Sequence, residues 1–289
     1  MSLATFAQAL VAGAVNGCFY ALLASSFGLI LGISRALNLA HGEFVVLGAY
    51  VGYGLWALTG LDPLLFLPFA AIALLPLGLL WARMLAGLRE PVELQSLVLT
   101  FGLSLLLQNL MLGFFRADYR LLIAPALERS VALGPVHVHW GRILLAGISL
   151  AALLSLHLFL TRTRPGRAIL ATSLNREAAA LMGINVDRMT SLTFLMAAGL
   201  AGAAGLLFAT VHYVHPAAGM ELTLLAIILV LLGGVGRLLG LLLGGLALGL
   251  TEALTVALTA PRWRELVVAL FLLGALLARP RGLIPGRSQ

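Results

Sequence analysis

Nothing constrains this chain more than its long apolar runs, which recur from one end to the other. The stretch from Leu64 to Ala82 contains no charged residue. A helix needs about 20 residues to cross roughly 30 Å of hydrocarbon. Runs of that kind place candidate spans at 6–32, 44–59, 64–82, 97–115, 143–161, 190–211, 222–236, 238–259 and 265–278. These are nine candidates; the pair around Gly233-Gly234-Val235-Gly236 can also be read as one broken helix, which gives eight. Continuous runs predict helices, because a membrane barrel would show alternating segments of about ten residues. Pro63, Pro68 and Pro76 predict a bent third span. Composition agrees: 61% of the residues are apolar and 10% charged, against about 45–50% and about 25% in soluble domains. The expected fold is an all-α polytopic bundle, residues 1–289 forming a single membrane domain.

The charges exclude several functions. All 18 basic residues are arginine. Without lysine there is no P-loop phosphate ligand and no Schiff base, so any ATP must be bound by another chain. The net charge of +7 does not indicate nucleic acid, because the arginines sit in short breaks between apolar runs, as at membrane faces. One cysteine, Cys18, allows no intrachain disulfide and supports no cysteine metal site. The first arginine is Arg35, so no basic region precedes the first span, which is expected to be retained rather than cleaved.

Arginine placement predicts orientation. Arg162, Arg164, Arg167, Arg176 and Arg188 fall in the 162–189 connection, and Arg279, Arg281 and Arg287 in the tail. Both are expected on the cytoplasmic side, and the four spans between them satisfy parity. The 116–142 connection then lies outside although it carries Arg116, Arg120, Arg129 and Arg142. With nine spans the N-terminus is outside.

Four constellations could carry function. In Asn38-Leu39-Ala40-His41-Gly42-Glu43, ionisable groups of the kind that line pathways or pair follow the first span. The alternative is that Asn38 caps the next helix and the charges are solvated. In Asn175-Arg176-Glu177-Ala178-Ala179-Ala180-Leu181-Met182-Gly183, Asn175 suits an N-cap, Glu177 the positive helix end and Gly183 the stop. Such a short helix is unstable alone and offers an alanine face to a partner. Gly240, Gly244, Gly245 and Gly249 have the small-xxx-small spacing of close helix packing. Polar groups inside spans come last: Asn16 with Tyr20, Ser104 with Gln108, Asn109, and Glu252, for which Arg237 is a candidate partner. His137, His139, His212 and His215 fall in outside loops without the acids or cysteines that would complete a metal site. No catalytic arrangement is present, and the chain reads as a transport subunit rather than an enzyme.

Several blocks carry a family resemblance. Asn16-Gly17-Cys18-Phe19-Tyr20-Ala21-Leu22 is followed by Ala36 to Phe44 and by Leu47-Gly48-Ala49-Tyr50. Then come Gly166-Arg167, Glu177-Ala178-Ala179, Met182 to Arg188, Leu232 to Gly236 and Arg279 to Leu283. The chain resembles the LivH family, inner-membrane permeases of ABC importers for branched-chain amino acids. The resemblance implies two ATPase subunits holding ATP-Mg, a second permease (LivM-like, or another copy of this chain) and a periplasmic or lipid-anchored amino-acid-binding protein. It also implies a multi-pass chain of the bacterial inner membrane. Related permeases carry other amino acids, urea or short amides. Arg176, Glu177, Ala178, Ala179, Ala180 and Gly183 would dock on the ATPase, so Glu177→Lys or Ala179→Arg is expected to uncouple hydrolysis from uptake without disturbing insertion. The chain departs from the full docking pattern, since no Ile-x-Leu-Pro follows Gly183, and Arg237 stands where relatives carry a small or polar residue. Asn16, Tyr20, Asn38, His41, Glu43, Gln108 and Glu252 are the candidate pathway or structural positions. The competing readings are a stand-alone carrier driven by ions through Glu43 and Glu252, and a purely structural membrane scaffold.

Overall fold

A computed structural model of the chain describes residues 3–34, 36–88, 92–122, 127, 129–133 and 136–278. The helices are α1 (Leu3–Ser34), α2 (His41–Thr59), α3 (Leu67–Ala73) and α4 (Leu75–Ala86). They continue with α5 (Val92–Phe115), α6 (Trp140–Arg162), α7 (Arg164–Leu174), α8 (Arg176–Leu181), α9 (Val186–Ala209), α10 (Ala218–Gly233), α11 (Leu238–Leu258) and α12 (Arg264–Ala278). A hairpin of β1 (Ser130–Leu133) and β2 (Val136–His139) interrupts the all-helical expectation. It lies in the 116–142 connection, and its alternating burial is the period-2 pattern of a half-covered strand.

The result is a helical membrane bundle. Six helical stretches among the described residues are long and apolar enough to cross a bilayer: Ala4–Ser34, Pro63–Ala86, Leu94–Phe115, Trp140–Arg162, Val186–Ala209 and Leu238–Leu258. Three further candidate spans, α2, α10 and α12, are shorter, at 19, 16 and 15 residues. The prolines act as expected in the third unit. A 3₁₀ turn at Pro63–Phe66, started by Asp62 accepting from Leu64 N–H at 2.9 Å, leads into α3, and the chain bends at Leu74 before α4. The Gly233–Gly236 segment does not join two halves of one helix. Gly234 and Gly236 take positive φ of 85° and 74°, which reverses the chain so that α10 and α11 form a hairpin.

Close packing depends on glycine at a few points. A Cβ on Gly17 would lie 2.7 Å from Leu246 Cα, and one on Gly13 2.8 Å from Gly249 O. Gly13 and Gly17 of α1 thus face Gly245 and Gly249 of α11, four residues apart on each helix. This is the backbone approach that small-xxx-small spacing allows. Gly240 packs instead on Gly233 across the α10–α11 turn. The central helices are α1 and α9, whose Leu22, Leu23, Ala201 and Leu206 are almost fully covered. At the rim, α5 leaves Leu94, Val98, Phe101 and Leu105 exposed.

Candidate functional site

Three places collect the polar groups of this apolar chain. The first is α8. Asn175 caps it, its Oδ1 accepting from Ala178 N–H at 2.9 Å. Gly183 ends it at φ 81°, with Gly183 N–H donating to Ala180 O at 2.9 Å and Ile184 N–H to Ala179 O at 3.1 Å. Those two bonds are the Schellman closure, which needs a residue that accepts the left-handed conformation. Both ends of a helix of only six residues are therefore fixed. On the surface Arg176 meets Asp187 at 3.3 Å, an exposed pair worth little on its own.

The face that α8 presents differs from the expected alanine face. Ala179 is 4% exposed and turned onto the bundle, so it is an anchor and not a contact for a partner. An arginine there would break the packing, which removes Ala179→Arg as a test of docking. Arg176, Glu177, Ala178, Ala180 and Gly183 are exposed as expected. The largest apolar groups at the tip are Leu181 and Met182, 88% and 82% exposed. Sequence reasoning passed over them because in a chain this apolar another leucine carries no signal. It also missed α7, the amphipathic helix that leads into α8. Thr163 caps α7 by accepting from Gly166 N–H at 3.0 Å, and Thr163-Arg164-Pro165-Gly166 was the available sign of a helix start.

The second place is the buried segment from Asn38 to Glu43. Asn38 does not cap α2. Its Oδ1 accepts from Ala40 N–H at 3.0 Å in a local turn, and the cap position is Ala40, which has no side-chain bond. Nor are the charges solvated: His41 and Glu43 are 0% and 1% exposed. The reason is that α2 begins inside the bundle, against the first turn of α10. Gly42 N–H donates to Thr223 Oγ1 at 2.8 Å, and a Cβ on Gly219 would sit 2.6 Å from Glu43 Cδ. Ser104 of α5 donates to Glu43 Oε1 at 2.8 Å. Ser26 Oγ donates to Leu23 O at 2.8 Å and lies 2.9 Å from His41 Nε2. The segment thus ties α1, α2, α5 and α10 at one buried point. Two helix N-termini converge there, where a carboxylate is favourable.

Glu43→Ala deletes the Ser104 bond and leaves a void, an expected loss of about 2–4 kcal/mol. Glu43→Gln keeps an acceptor for Ser104 and should lose less. Thermal unfolding of the two variants in detergent ranks them, and an alanine variant as stable as the parent would remove the tie.

The third place links α1, α11 and α12. Tyr20 OH donates to Glu252 Oε2 at 2.6 Å, and Arg264 Nε pairs with Glu252 Oε1. Arg264 is therefore the partner of Glu252. Arg237 begins the same helix as Glu252, about 22 Å away along its axis, too far to reach it. Nearby, in the α9–α10 connection, His212 stacks on Phe208 with ring centroids 4.7 Å apart. Desolvation, and then the Arg142 and Arg264 guanidiniums, lower the His212 pKa to about 4, so its imidazole is neutral at pH 7. Asn16 and Gln108 are half-buried, and neither hydrogen-bonds to Glu43 or Glu252. Among the described residues no group of histidines, cysteines and acids is placed to hold a metal.

The family described as branched-chain amino acid transport system / permease component matches residues 9–276. The permease protein BraD of a high-affinity branched-chain amino acid transport system from Pseudomonas aeruginosa is 30% identical over 298 residues, covering 98% of this chain and 97% of BraD. The corresponding LivH proteins are 28% identical in Salmonella typhimurium and 27% identical in Escherichia coli K12. Each match covers 98% of this chain and 96% of the relative.

Proposed function

The chain belongs to the branched-chain amino acid transport system permease family, and from that membership we propose that it is the membrane permease subunit of an ABC importer for branched-chain or related hydrophobic amino acids. The observation that carries the reading to this chain is α8, a doubly capped short helix that holds Leu181 and Met182 out from the bundle. Two large apolar side chains held rigidly at an exposed tip suit a groove on another protein. In this reading the groove belongs to an ATPase subunit, where ATP-Mg is bound and hydrolysed.

Orientation follows from that docking. The α8 end is cytoplasmic, and so are the Gly233–Gly236 turn and the C-terminus. The β1–β2 hairpin and the α9–α10 connection face outward, towards a periplasmic or lipid-anchored binding protein. Counting the proline-bent 63–86 unit once, nine passes are read in the bacterial inner membrane, all within one domain. A second permease, LivM-like or another copy of this chain, completes the pore. The reading assigns Asn38, His41 and Glu43 to a buried tie between helices. Tyr20 and Glu252 belong to the wall of the pathway, and Asn16 and Gln108 keep their places as polar positions within the spans. Two facts weigh against a stand-alone ion-driven carrier: Glu252 is paired with Arg264, and an exposed docking helix has no role in a lone chain.

The test is reconstitution of the chain with its ATPase subunits, sister permease and binding protein in vesicles. ATP-dependent uptake of leucine, isoleucine or valine is expected. Uptake by the chain alone under an ion gradient, without ATP, would overturn the reading.

A further inference from the structure

A cavity of about 710 Å³ lies between α4 and the docking helix α8. The end of α1, the end of α7 and the first turns of α9 complete its lining. Its volume is in the range of small-molecule sites, about 300–1,000 Å³. None of Tyr20, Glu43 and Glu252 lines it, so it is separate from the two buried polar places described above.

The charged lining is balanced, with Arg83 and Arg176 against Glu177 and Asp187. Arg176 and Asp187 are paired with each other at 3.3 Å, which joins the start of α8 to the start of α9. The hydroxyls of Ser34, Thr172, Ser173 and Thr190 donate to carbonyls of their own helices. Two charged groups of the lining are left. Arg83 stands in the last turn of α4 and Glu177 in the first turn of α8. Both are exposed, and neither makes an ion pair or hydrogen bond with a described residue. One cavity thus holds a guanidinium from α4 and a carboxylate from α8, with apolar surface from Ile33 and Leu85 in the same lining.

This pattern selects against single charges. An anion drawn to Arg83 meets Glu177 and Asp187, and a cation drawn to Glu177 meets two guanidiniums; like charges brought together are costly. A zwitterion avoids both conflicts. Its acid group takes the Arg83 fork, a match for which arginine is suited, and its ammonium takes Glu177. We propose that the cavity is a regulatory site for a small zwitterion that carries an apolar part. The bound molecule bridges α4 to α8 and so opposes movement of α8 against the bundle, which slows the cycle of the docked ATPase. Two sources supply this chemistry at the α8 face: a free amino acid such as leucine, and the phosphatidylethanolamine headgroup. The inference rests on the importer reading and adds control from the α8 side to it.

The test uses the whole importer complex in phosphatidylcholine vesicles. Leucine-loaded binding protein is sealed inside, and Mg-ATP is added outside, so that only complexes with α8 and the cavity outward hydrolyse it. Hydrolysis is measured with and without millimolar L-leucine outside, and again with phosphatidylethanolamine in the lipid. A severalfold fall with outside leucine identifies the free amino acid, and a severalfold fall with phosphatidylethanolamine identifies the headgroup. Either fall should vanish in R83Q and return in part in R83K. Because Arg83 is exposed and has no described partner, R83Q should match the parent when neither ligand is present. Absence of both falls in the parent overturns the inference. An equal fall in R83Q also overturns it, since the ligand then acts elsewhere. So does loss of the ATPase from the R83Q complex on gel filtration, which would make Arg83 a subunit contact. Hydrolysis by the parent that ignores the sealed, loaded binding protein overturns the importer reading, and this inference with it.

Discussion

Gly17→Leu should cut the yield of folded chain severalfold. The first side-chain carbon alone would stand 2.7 Å from Leu246 Cα and 2.8 Å from Gly245 O. Both neighbours are backbone, so no rotamer change makes room. α1 and α11 would have to separate along the whole Gly13/Gly17–Gly245/Gly249 seam, losing contacts that have no polar substitute. Overpacking a core usually costs about 1–3 kcal/mol, occasionally more, and a clash of backbone on backbone belongs at the upper end. That is a large share of the few kcal/mol by which a folded chain survives. Gly147→Leu is the matched control, since a Cβ there meets nothing within 4 Å. The measurement is the yield of monodisperse protein and its unfolding midpoint in detergent. A severalfold fall is expected for Gly17→Leu and no change for Gly147→Leu; equal behaviour of the two would dissolve the seam.

The second large effect belongs to the tip of α8. Leu181→Asp places a charge on a side chain 88% exposed in the isolated chain, so insertion and stability should not change. In a docked complex the same carboxylate would be buried without a partner. A loss of about 3 kcal/mol in docking is roughly a hundredfold in affinity. The ATPase subunit should therefore fail to co-purify, and ATP-dependent uptake should fall to background. Retention of the ATPase by Leu181→Asp would sink the docking role of α8.

What the sequence made legible follows from the range of each interaction. The helices came through because burial in a bilayer needs a contiguous run of apolar residues: each predicted run found a helix, and six helical stretches among the described residues are long and apolar enough to cross. The ends of α8 came through because a cap is a contact between near neighbours, from Asn175 to Ala178. The family blocks came through because they are written in consecutive residues. Side-chain partners did not. Arg264 is separated from Glu252 by a turn and a change of helix, and nothing in spacing distinguishes it from Arg237. The depth of Glu43 was hidden because it depends on α10 reaching the same point some 180 residues later. Ala178, Ala179 and Ala180 are identical as letters, yet only one of them faces the bundle, a matter of helix phase that six residues cannot set without the neighbour they pack on. The packing role of Gly13 and Gly17 was hidden because their partner glycines lie at the other end of the chain.

The glycine seam also sets an order of events during biogenesis. Its two sides, around Gly17 and Gly245, are separated by about 230 residues of synthesis. At roughly 5–20 residues per second, α1 spends on the order of 10–50 s in the bilayer before its main partner is made. Throughout that interval its two glycines form a bare notch that other small-residue helices could occupy. The chain therefore depends on α1 being held near the insertion site, or shielded, until α11 arrives.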